Sequence, residues 1–203
     1  MKNLKERLRE ALESLTKSGI IKDFYLAGGT ALYLKYNHRK SYDLDFFTFP
    51  NKSPDFTKVA AHIVKLGGRI SNLREDTIYS EINGVSVSFF EYNYKLIEEV
   101  SLYERIPMAS DIDIACMKSI AIIQRGSKKD FFDLCFLMKL HNWELSYLSE
   151  KCKEKYGGLF NPDIFLKALV FFDDAEKEKI PEIEDDWESI KKYFQTKVKE
   201  ILT

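Results

Sequence analysis

The stretch from Phe24 to Phe49, FYLAGGTALYLKYNHRKSYDLDFFTF, constrains this chain more than any other. Ile20 to Ala27 has the composition of a strand and runs directly into Gly28-Gly29. Thr30 to Asn37 then reads as a short helix, with Ala31, Leu32 and Leu34 available for packing. A strand, a glycine pair and a helix start make a phosphate-binding arrangement: glycines let the backbone approach an anion, and the first helical N–H groups point at it. Thr30 is placed to cap the helix or to donate its hydroxyl to a phosphate. A tight strand-to-helix turn also needs glycine for steric reasons, so this motif alone leaves a purely structural reading open.

A basic loop follows, His38-Arg39-Lys40-Ser41, and then Tyr42-Asp43-Leu44-Asp45-Phe46-Phe47. Side chains alternate across a strand, which puts Asp43 and Asp45 on one face and Leu44 and Phe46 on the other. Two carboxylates side by side repel each other, and a bound cation removes the repulsion. One or two carboxylates, with substrate phosphate completing the shell, is the coordination that Mg²⁺ prefers. The competing reading is an edge strand with a solvated face; the flanking Leu44, Phe46, Phe47 and Phe49 count against it.

Composition narrows the setting. The chain has 203 residues, 45% hydrophobic and 14% aromatic, enough for one substantial domain or two small ones. Its 31 basic and 32 acidic residues exclude a uniformly basic nucleic-acid coat but allow local patches. Cys116, Cys135 and Cys152 show no zinc spacing and read as free buried thiols in a reducing compartment. The charged N-terminus is no signal peptide, and no apolar run approaches the roughly 20 residues of a membrane span. A cytoplasmic protein without a membrane segment is expected.

Residues 2–18 read as an amphipathic helix with Leu4, Leu8, Leu12 and Leu15 on one face. Pro54 to Leu66 reads as a second, ended by Gly67-Gly68, and Thr77–Ile82 and Val85–Tyr92 as a hairpin turning at Asn83-Gly84. Beyond Ile106-Pro107 the pattern becomes helical. Ser110 looks like an N-cap, and a helix runs to Gln124 with Lys118 seven residues before Arg125, on the same face. A second helix, Phe131 to Leu140, follows Ser127-Lys128-Lys129-Asp130, with Asp130 and Asp133 three residues apart. Asp130 has an equally good local role in complementing the helix dipole. Helices at Trp143–Tyr156, Asp163–Phe172 and Trp187–Leu202 carry no recognisable chemistry.

The segments GGTALYLKYNHRKSYDLDFF and DIACMKSIAIIQRGSKKDFFDLCFLMK resemble the AbiEii-type toxins of the polymerase-β-like nucleotidyltransferase superfamily. The resemblance covers most of the chain from about Phe24 to Leu140. It implies an α/β (α+β) nucleotidyltransferase core with a mixed sheet over residues 1–109. A C-terminal helical bundle over 110–203 would contribute Lys118 and Asp130 to the site. It implies further that Gly28, Gly29 and Thr30 hold nucleotide phosphates, with Ser41 just ahead of the metal pair. Asp43 and Asp45 would bind Mg²⁺ or Mn²⁺, and Lys118 and Asp130, with Arg125 and Asp133 beside them, would complete the constellation. The reaction implied moves a nucleoside monophosphate from an NTP to an acceptor. RNA, a tRNA 3′ end, is the family's suggestion; a protein hydroxyl, a small molecule or a catalytically inactive binding module are the alternatives. Loop His38–Lys40 and the cluster Arg125, Lys128 and Lys129 are candidates to meet an RNA backbone. A cognate antitoxin is the implied partner. Superfamily members often place a third carboxylate on a later strand; here Ser86 and Ser88 hold that face, and Glu91 comes late.

Overall fold

The structure is a computed structural model that describes residues 4–202. The chain divides between Ala109 and Ser110 into two compact units.

The first unit is built on a mixed sheet. Its elements are α1 (Leu4–Ser18), β1 (Phe24–Ala27), α2 (Gly28–Tyr36), β2 (Leu44–Thr48), α3 (Phe56–Lys65), β3 (Arg69–Leu73), β4 (Thr77–Ile82), β5 (Val85–Phe90), β6 (Ser101–Tyr103) and β7 (Ile106–Met108). The strand order is β3-β4-β5-β2-β1-β7-β6. β2 pairs antiparallel with β1 and parallel with β5, and β1 pairs parallel with β7. The central β2 is therefore covered on both edges, and its side chains sort by alternation. Leu44, Phe46 and Thr48 are fully buried, while Asp45 and Phe47 are half-buried on the opposite face.

The buried face is an aromatic and aliphatic core. Phe46 stacks on Phe89 at 5.3 Å, and Phe24 meets Phe89 edge-on at 5.0 Å and Phe56 of α3 at 6.2 Å. Leu8, Leu12 and Leu15 of α1 and Ile63 of α3 are buried with them. Each such side chain contributes about 1.5–3 kcal/mol on burial. That layer holds β2 in place, and with it Asp45.

The second unit is helical: α4 (Asp111–Gln124), α5 (Lys128–His141), α6 (Leu145–Tyr156), α7 (Pro162–Leu169) and α8 (Pro181–Leu202). α4 packs against α5, α6 and α7, and α8 closes over α5. Phe131 lies at the centre, with the rings of Phe172, Trp187 and Phe194 at 5.3, 5.8 and 5.8 Å. Ser110 accepts from the Asp113 N–H as the N-cap of α4.

Several boundaries differ from the sequence expectation, each for a local reason. Residues 2 and 3 of the expected first helix lie outside the described residues. Ile20–Asp23 is a 3₁₀ turn rather than strand, because Gly19 at φ 72° turns the chain and only Phe24–Ala27 reaches the sheet. The helix after the glycines begins at Gly28, not Thr30, and stops at Tyr36 with Asn37 left-handed at φ 54°. Asp43 lies one residue before β2 rather than within it. Asp55 caps α3 by accepting from the Thr57 and Lys58 amides, so the helix starts at Phe56. The hairpin turns at Asn83 and Gly84, both at positive φ, as expected, but its second strand ends at Phe90. α5 starts three residues early, at Lys128, and α7 ends at Leu169. The last helix opens at Pro181 rather than Trp187, since proline at the first helical position loses no hydrogen bond. The short strands β3, β6 and β7 had no readable alternation.

Candidate active site

The site in the first unit is built where β1 ends and α2 begins. Ala27 stands at the N-cap of α2 and supplies no side-chain cap, so the first-turn amides from Gly28 onward keep their donor capacity. Gly28 adopts φ 77°, a left-handed conformation that favours glycine. A Cβ on Gly28 would sit 3.5 Å from Asp45 Oδ2. The half-buried carboxylate of Asp45 therefore lies directly against the glycine turn. This follows from register, because Asp45 pairs with Ala27 across the β1–β2 ladder.

Gly29 is fixed by a different neighbour. A Cβ there would fall 2.5 Å from an Arg39 guanidinium nitrogen and 3.1 Å from Ser41 Oγ. Arg39 is 9% exposed and donates from Nη1 to the Lys40 carbonyl at 3.0 Å. The loop expected to present a basic surface thus folds its arginine back onto the helix start and leaves Lys40 exposed.

Thr30 caps nothing. Its buried hydroxyl donates to the Asp43 carbonyl, and its oxygen is 2.8 Å from Ser41 Oγ. That bond fastens the first turn of α2 to the segment entering β2. Thr30 and Ser41 position Asp43, whose own side chain is exposed.

On the other side of β2, Asp45 stands opposite Ser88 of the parallel strand β5. Ser88 is 8% exposed and occupies the lateral position nearest the acidic pair. Ser86 pairs instead with Glu81, further along the sheet. Glu91 lies past the strand end and accepts from Asn93 Nδ2 at 3.1 Å and Ser53 Oγ at 3.4 Å. Among the described residues there is no group of three or more His, Cys, Asp or Glu side chains able to hold a metal. Two hard oxygen donors from Asp43 and Asp45 fit a Mg²⁺ or Mn²⁺ ion whose remaining ligands come from phosphate and water. They do not fit zinc, which takes three or four protein ligands with His or Cys among them.

The second unit holds an ionic network around Lys118. Its Nζ is 2.9 Å from Asp130 Oδ1 and 2.7 Å from Asp133 Oδ2, and the two aspartates are 1% and 0% exposed. Arg125 grips the same Asp130 in a two-point contact, Nε to Oδ2 at 2.8 Å and Nη2 to Oδ1 at 3.1 Å, while staying 65% exposed. Burial alone would pull the Lys118 ammonium down, but Asp133 and then Asp130 outweigh it and its pKa rises. Burial likewise pushes the Asp130 carboxyl up, and Lys118 and Arg125 more than reverse that. Both groups are held charged, the aspartate as a carboxylate with its oxygens engaged. Such a carboxylate orients its cations and is a poor proton acceptor.

Sequence reasoning missed a second buried pair. Lys155 Nζ lies 2.6 Å from Asp113 Oδ1, both fully buried, and Ser110 donates to Asp113 Oδ2 at 2.6 Å. The partners are 42 residues apart, and nothing local signals them. Cys116 and Cys152 lie beside this pair, and their mutual hydrogen bond and burial push the Cys116 thiol well up. Lys128, expected in a basic surface cluster, is 2% exposed, 2.9 Å from Glu184 and over the Trp187 ring at 5.1 Å. It belongs to the packing of α8, and Lys129 stays exposed.

The expected architecture, a mixed-sheet core followed by a helical unit, is shared with solved structures. MenT4, the nucleotidyltransferase toxin Rv2826c from Mycobacterium tuberculosis H37Rv, superposes with a TM-score of 0.57 at 13% identity, covering 98% of this chain and 90% of that one. JHP933 from Helicobacter pylori superposes with a TM-score of 0.52 at 17% identity, covering 97% and 96%. The protein is a nucleotidyltransferase. More narrowly, the chain belongs to the AbiEii family, described as nucleotidyl transferase AbiEii toxin, type IV TA system, whose profile matches residues 10–101 and 85–200. An uncharacterized protein of Aquifex aeolicus (strain VF5) is 48% identical over 206 residues, covering 100% of this chain and 99% of its own length. Among the described residues no helix is long and apolar enough to cross a membrane.

Proposed function

We propose that this chain transfers a nucleoside monophosphate from an NTP to the 3′ end of an RNA, with tRNA the acceptor class. It would act as the toxin of a type IV-like toxin–antitoxin pair whose antitoxin restrains it. The observation that carries the reading is the Asp45 carboxylate set against the glycine turn at the open start of α2. A triphosphate placed there meets backbone N–H donors on one side and the acidic pair on the other. Asp43 and Asp45 would hold a divalent ion, which, when bound, neutralises phosphate charge and aligns the α-phosphorus for in-line attack.

In the transfer, the acceptor hydroxyl oxygen bonds to the α-phosphorus as the bond from that phosphorus to the bridging oxygen of the β-phosphate breaks. Pyrophosphate leaves with the bonding pair, and the hydroxyl proton passes to solvent. The gripped state of Asp130 favours an orienting role for it over that of proton acceptor. Lys118, held charged by two carboxylates, is the residue we assign to stabilising negative charge on the transferring group.

The test is incubation with each labelled NTP, Mg²⁺ or Mn²⁺, total RNA and total protein. Label on the 3′ ends of tRNA supports the proposal. Label on a polypeptide or small molecule overturns the acceptor, and tight NTP binding without pyrophosphate release overturns the chemistry.

A further inference from the structure

Arg39 was read from sequence as part of a surface patch, yet it is among the most buried charged side chains of the first unit. Its guanidinium lies so close over Gly29 that a methyl group on that residue would meet it at 2.5 Å. On the neighbouring glycine the corresponding position faces Asp45 instead, at 3.5 Å. Two consecutive residues at the helix start thus look onto opposite charges. The chain arranges this with a simple period: Arg39, Ser41, Asp43 and Asp45 recur every second residue on the segment that runs alongside the turn, a cation, a hydroxyl and two carboxylates in order.

We propose that Arg39 is a phosphate-binding residue that takes the terminal phosphate of the bound triphosphate and so makes the site select NTP over shorter nucleotides. The inference rests on the nucleotidyltransferase reading above and gives the bound chain of phosphates a direction. The end near Gly28 is the one beside Asp45, where a divalent ion would be held, and the end near Gly29 and Ser41 is neutralised by the guanidinium. A guanidinium carries five N–H donors in a fixed fork and stays charged, and Nη1 of Arg39 also donates to the Lys40 carbonyl, which holds the group at the turn. Its planar fork matches two phosphate oxygens, which an ammonium does not. The absence of a Cβ at Gly29 lets the guanidinium come this close to the helix start; a side chain there would push Arg39 aside. Ser41 Oγ, 3.1 Å from that same point, adds a hydroxyl to the cradle.

The rival role is structural: Arg39 could merely close the loop through Lys40. Equilibrium binding of ATP, ADP and AMP, and of the cytidine, guanosine and uridine series, separates the two, with Ca²⁺ replacing Mg²⁺ to prevent turnover. Wild type is expected to prefer the triphosphate. Arg39→Gln keeps an N–H donor for the Lys40 carbonyl but not the charge, and should lose about ten- to a hundredfold in NTP affinity with monophosphate affinity nearly unchanged. Arg39→Lys should recover part of the loss, and melting curves of both variants report on folding. A folded Arg39→Gln protein with the wild-type ratio of NTP to NMP affinity overturns the assignment while leaving the nucleotidyltransferase reading intact. Failure of the wild type to bind any nucleotide removes both.

Discussion

Asp45 and Ser88 stand side by side on parallel strands, a carboxylate beside a hydroxyl, at the position where the proposed metal site lacks a third acid. Introducing that acid tests how the metal is held. Ser88→Asp should lower the melting temperature without metal, because a buried carboxylate is forced beside the half-buried Asp45. Added Mn²⁺ should restore it. A melting curve with and without Mn²⁺, alongside calorimetric titration, measures both effects. An unchanged apo melting temperature would show that the two side chains do not share a pocket.

Asp45→Asn preserves shape but removes the charge and exchanges one acceptor oxygen for an N–H donor. The rate of pyrophosphate release should fall by about a hundredfold or more, and Mn²⁺ affinity should fall with it. Because the buried layer beneath β2 is untouched, the melting temperature should stay within a few degrees of wild type.

The two buried lysines of the helical unit should separate stability from chemistry. Lys155→Met takes the ammonium from the buried Asp113 carboxylate and should cost about 3–5 kcal/mol of folding free energy, read by urea denaturation. The surviving folded fraction should bind nucleotide normally. Lys118→Met takes the shared cation from Asp133 and from Asp130, which keeps Arg125, and on the proposed mechanism also lowers the rate constant per folded molecule.

The Lys118 network also sets a pH window. Asp130 is depressed below its ordinary 3.8, so its stabilisation is complete above that value and is lost as pH falls through the lower folded-state value. Lys118 is raised above its ordinary 10.5, so its share is complete below that value and is lost as pH rises through the higher one. The difference in unfolding free energy between wild type and Asp130→Asn should therefore be flat from about pH 5 to pH 9 and shrink in acid.

Gly28→Ala and Gly29→Ala should fail differently. At Gly28 the φ of 77° makes any side chain strained, costing about 1–2 kcal/mol. At Gly29 the backbone tolerates alanine, and the loss is the displacement of Arg39 and Ser41, so NTP binding should suffer more than the melting temperature.

Much of this was legible in the residues themselves. The Phe24–Phe49 stretch carried the glycine turn and the acidic pair, because strand and helix periods fix which side chains share a face over a few residues. The amphipathic α1 and α3, the Asn83-Gly84 hairpin and the Ser110 cap were equally local. Element ends went astray where a single interaction decided them, as with the Thr30 hydroxyl that serves Asp43 instead of a helix cap.

Sequence alone thus determined the groups on offer: a glycine turn at a helix start, a pair of carboxylates, and a lysine seven residues before an arginine. Only tertiary structure decided what each group does. The pairing of Asp45 with Ala27 and Ser88 depends on strand register across chain-distant segments. Arg39 turns inward because Gly29 leaves it room, and Lys128 is drawn under α8 by Glu184. Lys118 is held between Asp130 and Asp133, and Lys155 is matched to Asp113. Charge pairing inside a fold is set by which helices and strands come to lie together, and the chain's local periods do not encode that.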